Sequence, residues 1–400
     1  MSAPSPPTSD IDLFCDDVLT DPYDAYRELR DAGPAVRSTR YDTWVLARYD
    51  QVRSALADHE TFSSASGVGY EAELNKYTDG TALATDPPEH DALRSVLTKR
   101  LAPFALRTLR ADVTRQSHEL VRPLVERGSF DAVSELAEVF PVTVVAKLLG
   151  LPRDARDRLL QFGEAAFDIF GPRNERAEQA MPVMEEMVEY ISTVMARENL
   201  HPGGLAASVY AAADEGEISH EQVVPLLAAY VAAGMDTTIK AIGNTMLLFV
   251  HNPEAWQQVR ATPSLVPAAF EESLRLESPK QGLFRTVTKD VDVGGVTLPA
   301  GDKVLLLFGS ANRDERAWDR PESFDVTRNP EEHLGFGHGI HSCVGQNLSR
   351  MEAQALFSAL ARRVGRFELA GQPQRKLNNV ARGLASLPVT AGQATGQATR

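Results

Sequence analysis

Apolar residues recur at helical spacing through most of this chain. Asp21-Pro22 opens a helix that runs to about Ala32, with Pro22 tolerated in the first turn. Residues 88–198 read as almost entirely helical, with breaks near Gly128, Gly150-Leu151-Pro152 and Gly171-Pro172. Ser219 and Gln222 form a capping box for a helix to about Val250. That helix would be about 46 Å long at the usual rise, enough to cross a domain. Being apolar nearly all round, it belongs in a core. Another helix ends near Glu277, before Ser278-Pro279, and the last spans about residues 345–364. Strand patterns are short: residues 43–48, 284–287, a Gly294-Gly295 hairpin, and 303–308. Residues 62–86 are Gly-, Ser- and polar-rich without a period, long enough to predict a functional loop. Residues 1–20 and 392–400 read as disordered ends. The expectation is one domain over 21–391, mainly α with small β-sheets.

Composition narrows the function. A net charge of -14 argues against nucleic acid as a partner. Two cysteines without a pairing pattern fit a reducing cytoplasm and exclude a sequence-encoded zinc or disulfide framework. The start MSAPSPPTSD has neither the basic residues nor the apolar run of a signal peptide. The nearest approach to a membrane span, residues 223–250, is broken by Gly234, Asp236, Lys240 and Asn244. No membrane association is expected.

Cys343 lies in Phe336-Gly337-His338-Gly339-Ile340-His341-Ser342-Cys343-Val344-Gly345, a Gly-rich loop leading into an apolar helix. Glycines at 337, 339 and 345 let backbone approach a large flat ligand and leave amides free for a sulfur anion. A helix N-terminus stabilises a thiolate further. Taken alone, a single cysteine is more often a packed thiol in a helical scaffold. The run Phe336, Gly337, Gly339, His341, Cys343, Gly345, then Leu348, Arg350 and Glu352, resembles the haem loop of the cytochrome P-450 superfamily, and the resemblance recurs in order over most of the chain.

That resemblance implies the P-450 fold, a long central helix over the cofactor, and haem b with Cys343 as axial iron ligand in a cradle of Phe336, Gly337 and Gly345. It implies an oxygen-activation motif in Ala233-Gly234-Met235-Asp236-Thr237-Thr238. There Gly234 makes room for dioxygen, Ala233 lies beside it against the cofactor, Thr237 passes protons to the oxygen and Asp236 feeds them inward. The bland alternative is an Asp paired with a cation and a Thr bonded to a backbone carbonyl. His90, Arg94, Arg285 and His341 would hold the haem propionates. Glu272 and Arg275 match the Glu-x-x-Arg support element. The family's third partner from Pro-x-Arg-Phe is missing in Pro321-Glu322-Ser323-Phe324, so Arg328 or another residue would replace it. Electrons would come from a ferredoxin and a ferredoxin reductase. Lys99, Arg100, Arg107 and Arg110 form either a docking face for that donor or ordinary solvated helix surface.

By position, the substrate pocket falls to residues 62–86, Phe162, Phe167, Phe170, Ala229, Ala233, Leu283 and Leu384. Phe284-Arg285-Thr286, residues 309–314 and residues 382–388 resemble bacterial enzymes that oxidise para-substituted benzoates. Those enzymes place an Arg-Ser pair where this chain has Ala228 and Ala229, so a buried carboxylate would lack that clamp. The expectation is hydroxylation or O-demethylation of a small aromatic, a methoxyphenol or methoxyarene favoured and a para-substituted benzoate possible. A terpenoid or secondary-metabolite hydroxylase is the alternative. A non-catalytic haem sensor would have no use for Asp236 and Thr237.

Overall fold

The computed structural model describes residues 5–151 and 156–394. Helices make most of the body. The Pro103–Arg127 helix ends on Gly128, whose φ of +81° suits a residue without Cβ, and packs along the Gln346–Arg363 helix. Gly150 ends the Val139–Leu149 helix in the same way, φ +83°; Pro152, part of that predicted break, lies outside the described residues. The Arg156–Asp168 and Glu175–Thr193 helices pack on each other, and the first also meets Val223–Ala233.

The predicted single helix from Ser219 is two. The Ser219–Gln222 capping box is present, but Val223–Ala233 and Asp236–His251 are separated at Gly234-Met235. Thr237 Oγ1 donates to the carbonyl of Ala233 at 3.2 Å, competing for the acceptor a regular helix gives to an amide. Among the described residues, His220–His251 is the one run long and apolar enough to cross a membrane, and it is 56% buried inside the molecule over its most apolar window.

Both predicted disordered ends need correction. Thr8–Ser9 pairs in parallel with Val36–Ser38, Asp16–Thr20 is helical, and Leu13 and Phe14 are buried. The Phe14 ring meets Tyr41 edge-on at 5.2 Å and stacks towards Phe284 at 6.5 Å. Two apolar residues in a polar segment sufficed to dock it. At the other end, strand Pro388–Gln393 takes in residues 392 and 393, and the Ala394 amide donates to Arg363. Residues 1–4 and 395–400 lie outside the described residues.

Small sheets complete the fold. One runs in the order Thr8–Ser9, Val36–Ser38, Thr43–Leu46, Lys303–Leu307, Gly282–Val287, Phe62–Ser63. Leu283 pairs with Leu306 and Arg285 with Val304, so Leu283 and Arg285 share one face of the strand. Helix predictions for residues 88–198 missed the strand Ser129–Asp131, which pairs with Pro388–Gln393. The loop at 62–86 is stitched by Asn75, which accepts from the Gly69 amide at 2.9 Å and donates to Ser66. The Tyr70 amide then ties it to the Phe170 carbonyl at 2.9 Å.

Candidate active site

The Cys343 loop is closed by its own backbone: the Cys343 amide donates to Phe336 at 2.8 Å. Gly337 and Gly339 both sit at φ +70°. A Cβ on Gly339 would come within 2.3 Å of the Leu56 carbonyl, so glycine lets the loop press on the Tyr49–Ala57 helix. Burial pushes the Cys343 thiol up, while the amides of Gly345 and Gln346 and the charges of Arg94 and Arg350 pull it down. Arg350 stacks over Phe336 at 4.7 Å and makes a bidentate contact with Glu271 at 2.7 and 3.0 Å. Glu271 also meets His333 Nε2 at 2.9 Å, and these partners outweigh burial to hold its carboxyl near 2. The loop is therefore braced on the Val266–Leu276 helix.

The same helix carries Glu272 and Arg275, both fully buried and joined by two hydrogen bonds of 2.8 and 2.9 Å. Arg275 also donates to the carbonyls of Asn312, Pro321 and Ser323. The missing third partner is Arg328, whose Nε donates to Glu272 Oε1 at 2.9 Å.

His90, Arg94, Arg285 and His341 converge from three segments. The two imidazoles meet edge-on at 4.7 Å, and Arg94 donates to the Ser342 carbonyl. Arg285 is buried, giving one hydrogen bond to the Phe284 carbonyl; desolvation lowers it to about 10. Burial, helped by Arg285, His90 and Arg94, holds His341 near 3, so it is neutral at physiological pH. The Nε2 atoms of both His90 and His341 are buried without a hydrogen-bond partner. Two orphaned ring nitrogens beside two guanidinium groups match the needs of paired carboxylates.

Ala229, Ala233 and Thr237, spaced by four, form a partly accessible stripe on two largely buried helices; Ala233 is the most exposed of the three. Beside it, Asp236 pairs with Lys240 one turn on, which is the bland pairing the sequence allowed. Its Oδ2 has no partner, and burial raises the carboxyl against the pull of Lys240. Gly163 permits this approach: a Cβ there would be 3.1 Å from the Asp236 Cβ. The next residue, Glu164, pairs with Lys376 at 2.6 Å where both are part-exposed. Asp236 thus stands between an accessible stripe and a charged surface position.

Of the predicted pocket residues, Phe167 and Phe170 lie together, centroids 6.1 Å apart, and Leu283 and Leu384 are buried. Phe162 does not join them. It is fully buried against Tyr190 at 5.5 Å, within the packing of two helices. Two residues were not anticipated. Lys240 salt-bridges Asp236, and Lys280 places its ammonium over both Phe167 and Phe170, at 3.8 and 4.5 Å. The signal was a lysine directly after Ser278-Pro279, three residues before the apolar Leu283. The cationic surface cluster is partly committed: Lys99 pairs with Glu217 at 2.7 Å, Arg100 donates to Ser208, and Arg107 covers the exposed Phe104.

The cytochrome P450 family profile matches residues 263–392. Cytochrome P450 CYP199A2 of Rhodopseudomonas palustris is 39% identical over 383 residues, covering 95% of this chain and 93% of the relative. The chain belongs to the cytochrome P450 family. Cytochrome P450 107B1 of Saccharopolyspora erythraea is 31% identical, over 96% of this chain and 98% of its own. Among solved structures, epothilone D-bound P450epoK superposes with a TM-score of 0.87 at 28% identity, covering 96% of this chain and all of that one. P450 CREJ in complex with (4-ethylphenyl) dihydrogen phosphate gives 0.84 at 30% identity, covering 94% and 98%.

As a P450, the protein is a monooxygenase that uses haem with a cysteine thiolate on the iron, dioxygen and external electron donors. When bound, the haem iron supplies dioxygen binding and reductive activation. The residues present fit that group. Cys343 offers a thiol backed by two amides, Gly337 leaves an open face with no atom nearer than 3.6 Å to a Cβ position, and the orphaned imidazole nitrogens suit propionates.

Proposed function

We propose that this P450 hydroxylates or oxidatively O-demethylates a small aromatic substrate, a methoxyphenol or methoxyarene before a para-substituted benzoate. Cys343 would ligate the iron, and His90, Arg94, Arg285 and His341 would hold the propionates. Asp236 would take up protons on the side of Glu164 and Thr237 would release them at the Ala229–Ala233 stripe. Electrons would arrive from a ferredoxin and its reductase in the cytoplasm. The observation that carries the substrate reading is the Phe167–Phe170 ring pair, with Phe167 on a helix that packs against the one carrying the small residues Ala229 and Ala233. The resemblance of residues 309–314 and 382–388 to benzoate-oxidising enzymes supports it, as does the aryl phosphate held by CREJ.

A hydroxylase of larger secondary metabolites is the second reading, because the neighbours include complexes with epothilone D and with testosterone. A ligand screen separates the two. Methoxyphenols, methoxyarenes and para-substituted benzoates are expected to shift the haem from low to high spin at micromolar concentration. Shifts only with terpenoid, steroid or macrolide ligands would overturn the aromatic reading.

A further inference from the structure

Lys280 places its amine where the fold gives it no hydrogen-bond acceptor. Its Nζ is shut off from solvent, although part of the side chain remains accessible, and it has no hydrogen-bond partner. The Lys280 backbone is held by a bridge to Ala381, and the Gln281 amide donates to Val380 at 2.8 Å, so the position is rigid. The ammonium lies over the rings of Phe167 and Phe170. The charged groups that act on it are Asp236, which favours its protonation, and Lys240, which opposes it. Asp236 is already committed to Lys240, and no hydrogen bond links it to Lys280.

Contact with two ring faces stabilises an ammonium but leaves its N–H donors unused. A buried donor without an acceptor is a standing penalty, relieved by a ligand that brings an oxygen. Asp168 and Asn379 beside the same rings are already bonded to each other, whereas Lys280 has no hydrogen-bond partner.

We propose that Lys280 anchors an acidic oxygen of the substrate, a carboxylate or a phenol, and so decides which end of the aromatic ring faces Thr237. The inference rests on the aromatic reading above and deepens it: methoxyphenols and benzoates gain an anchor at Lys280, and neutral methoxyarenes bind without it. Burial pushes Lys280 well below its usual range, so a carboxylate binds with uptake of one proton from solvent by the amine, whereas a phenol can hand its own O–H proton to it.

The test is a spin-state titration of haem-loaded wild type, Lys280→Met and Lys280→Arg with 4-methoxybenzoate, 4-methoxyphenol and neutral 1,4-dimethoxybenzene. Lys280→Met is expected to weaken 4-methoxybenzoate or 4-methoxyphenol by roughly 30-fold or more, and to leave 1,4-dimethoxybenzene within about threefold of wild type. Which acid responds identifies carboxylate or phenol as the partner, and Lys280→Arg should restore most of the lost affinity. Equal affinity of wild type and Lys280→Met for both acids overturns the inference, as does equal weakening of all three ligands. If no aromatic shifts the wild type, the aromatic reading has failed on its own. Decanoate against decanol then reads Lys280 separately: decanoate must weaken in Lys280→Met and decanol must not, otherwise the anchor is wrong too.

Discussion

Thr237 gives its hydroxyl hydrogen to the carbonyl of Ala233, 3.2 Å away, across the break between two central helices. The hydroxyl is therefore held in place on the accessible stripe while its lone pairs stay free to accept from a donor deeper in the protein. Thr237→Ala removes the proposed proton carrier and leaves the Cys343 loop untouched. Product per NADH should fall by about tenfold or more, with hydrogen peroxide appearing in its place and haem content unchanged. Quantifying peroxide and product in the same reaction checks this.

Arg328 caps a buried network. Removing it leaves Glu272 with Arg275 and the Asp325 amide, so Arg328→Ala should lower stability by about 2 kcal/mol. Arg275→Ala takes both of its hydrogen bonds from the fully buried Glu272, leaving Arg328 and the Asp325 amide, and strands three carbonyls; it should lower stability by about 4 kcal/mol. Denaturant unfolding followed by haem absorbance measures both, and the order of the two is the point at issue.

Glu352 is fully buried with neither oxygen partnered, and burial pushes its carboxyl well above the ordinary 4.5. The folded protein therefore holds a proton that the unfolded chain has released, so stability falls as pH rises from about 4.5 towards the folded value. Glu352→Gln cannot ionise and should flatten that slope, becoming more stable than wild type on the alkaline side. Thermal midpoints across pH 5 to about 9 read it.

Arg285 lies buried on the strand face it shares with Leu283, beside the orphaned His341 nitrogen. If these groups serve propionates, Arg285→Leu should speed haem transfer to apomyoglobin by roughly tenfold or more while the apoprotein folds as before. Circular dichroism of the variant provides the second reading.

Much of this was legible in the chain. The Cys343 loop, the Ser219 cap and the hairpin at Gly294-Gly295 are local patterns, and local patterns survive folding. Other features depend on partners far along the chain. Arg328 could only be named as one option, because its carboxylate is 56 positions away. The break at Gly234-Met235 was hidden by a continuous apolar run, since a Thr hydroxyl competing for one carbonyl leaves no periodic trace. Phe14 looked like part of a polar tail until Tyr41 and Phe284 packed against it. Phe162 and Phe167 share a helix and the same composition, yet one faces Tyr190 and the other Lys280. Lys280 had only its place after Ser278-Pro279 as a signal; the fold shows that its Nζ has no hydrogen-bond partner.

The most direct measurement is turnover of 4-methoxyphenol and 4-methoxybenzoate by the haem-loaded enzyme with NADH, a ferredoxin and its reductase, counting formaldehyde against NADH consumed. The account predicts formaldehyde close to one per NADH for at least one of the two, falling sharply in Thr237→Ala. NADH consumption that yields only peroxide and water with both substrates, in a preparation with a full thiolate-haem spectrum, would contradict it.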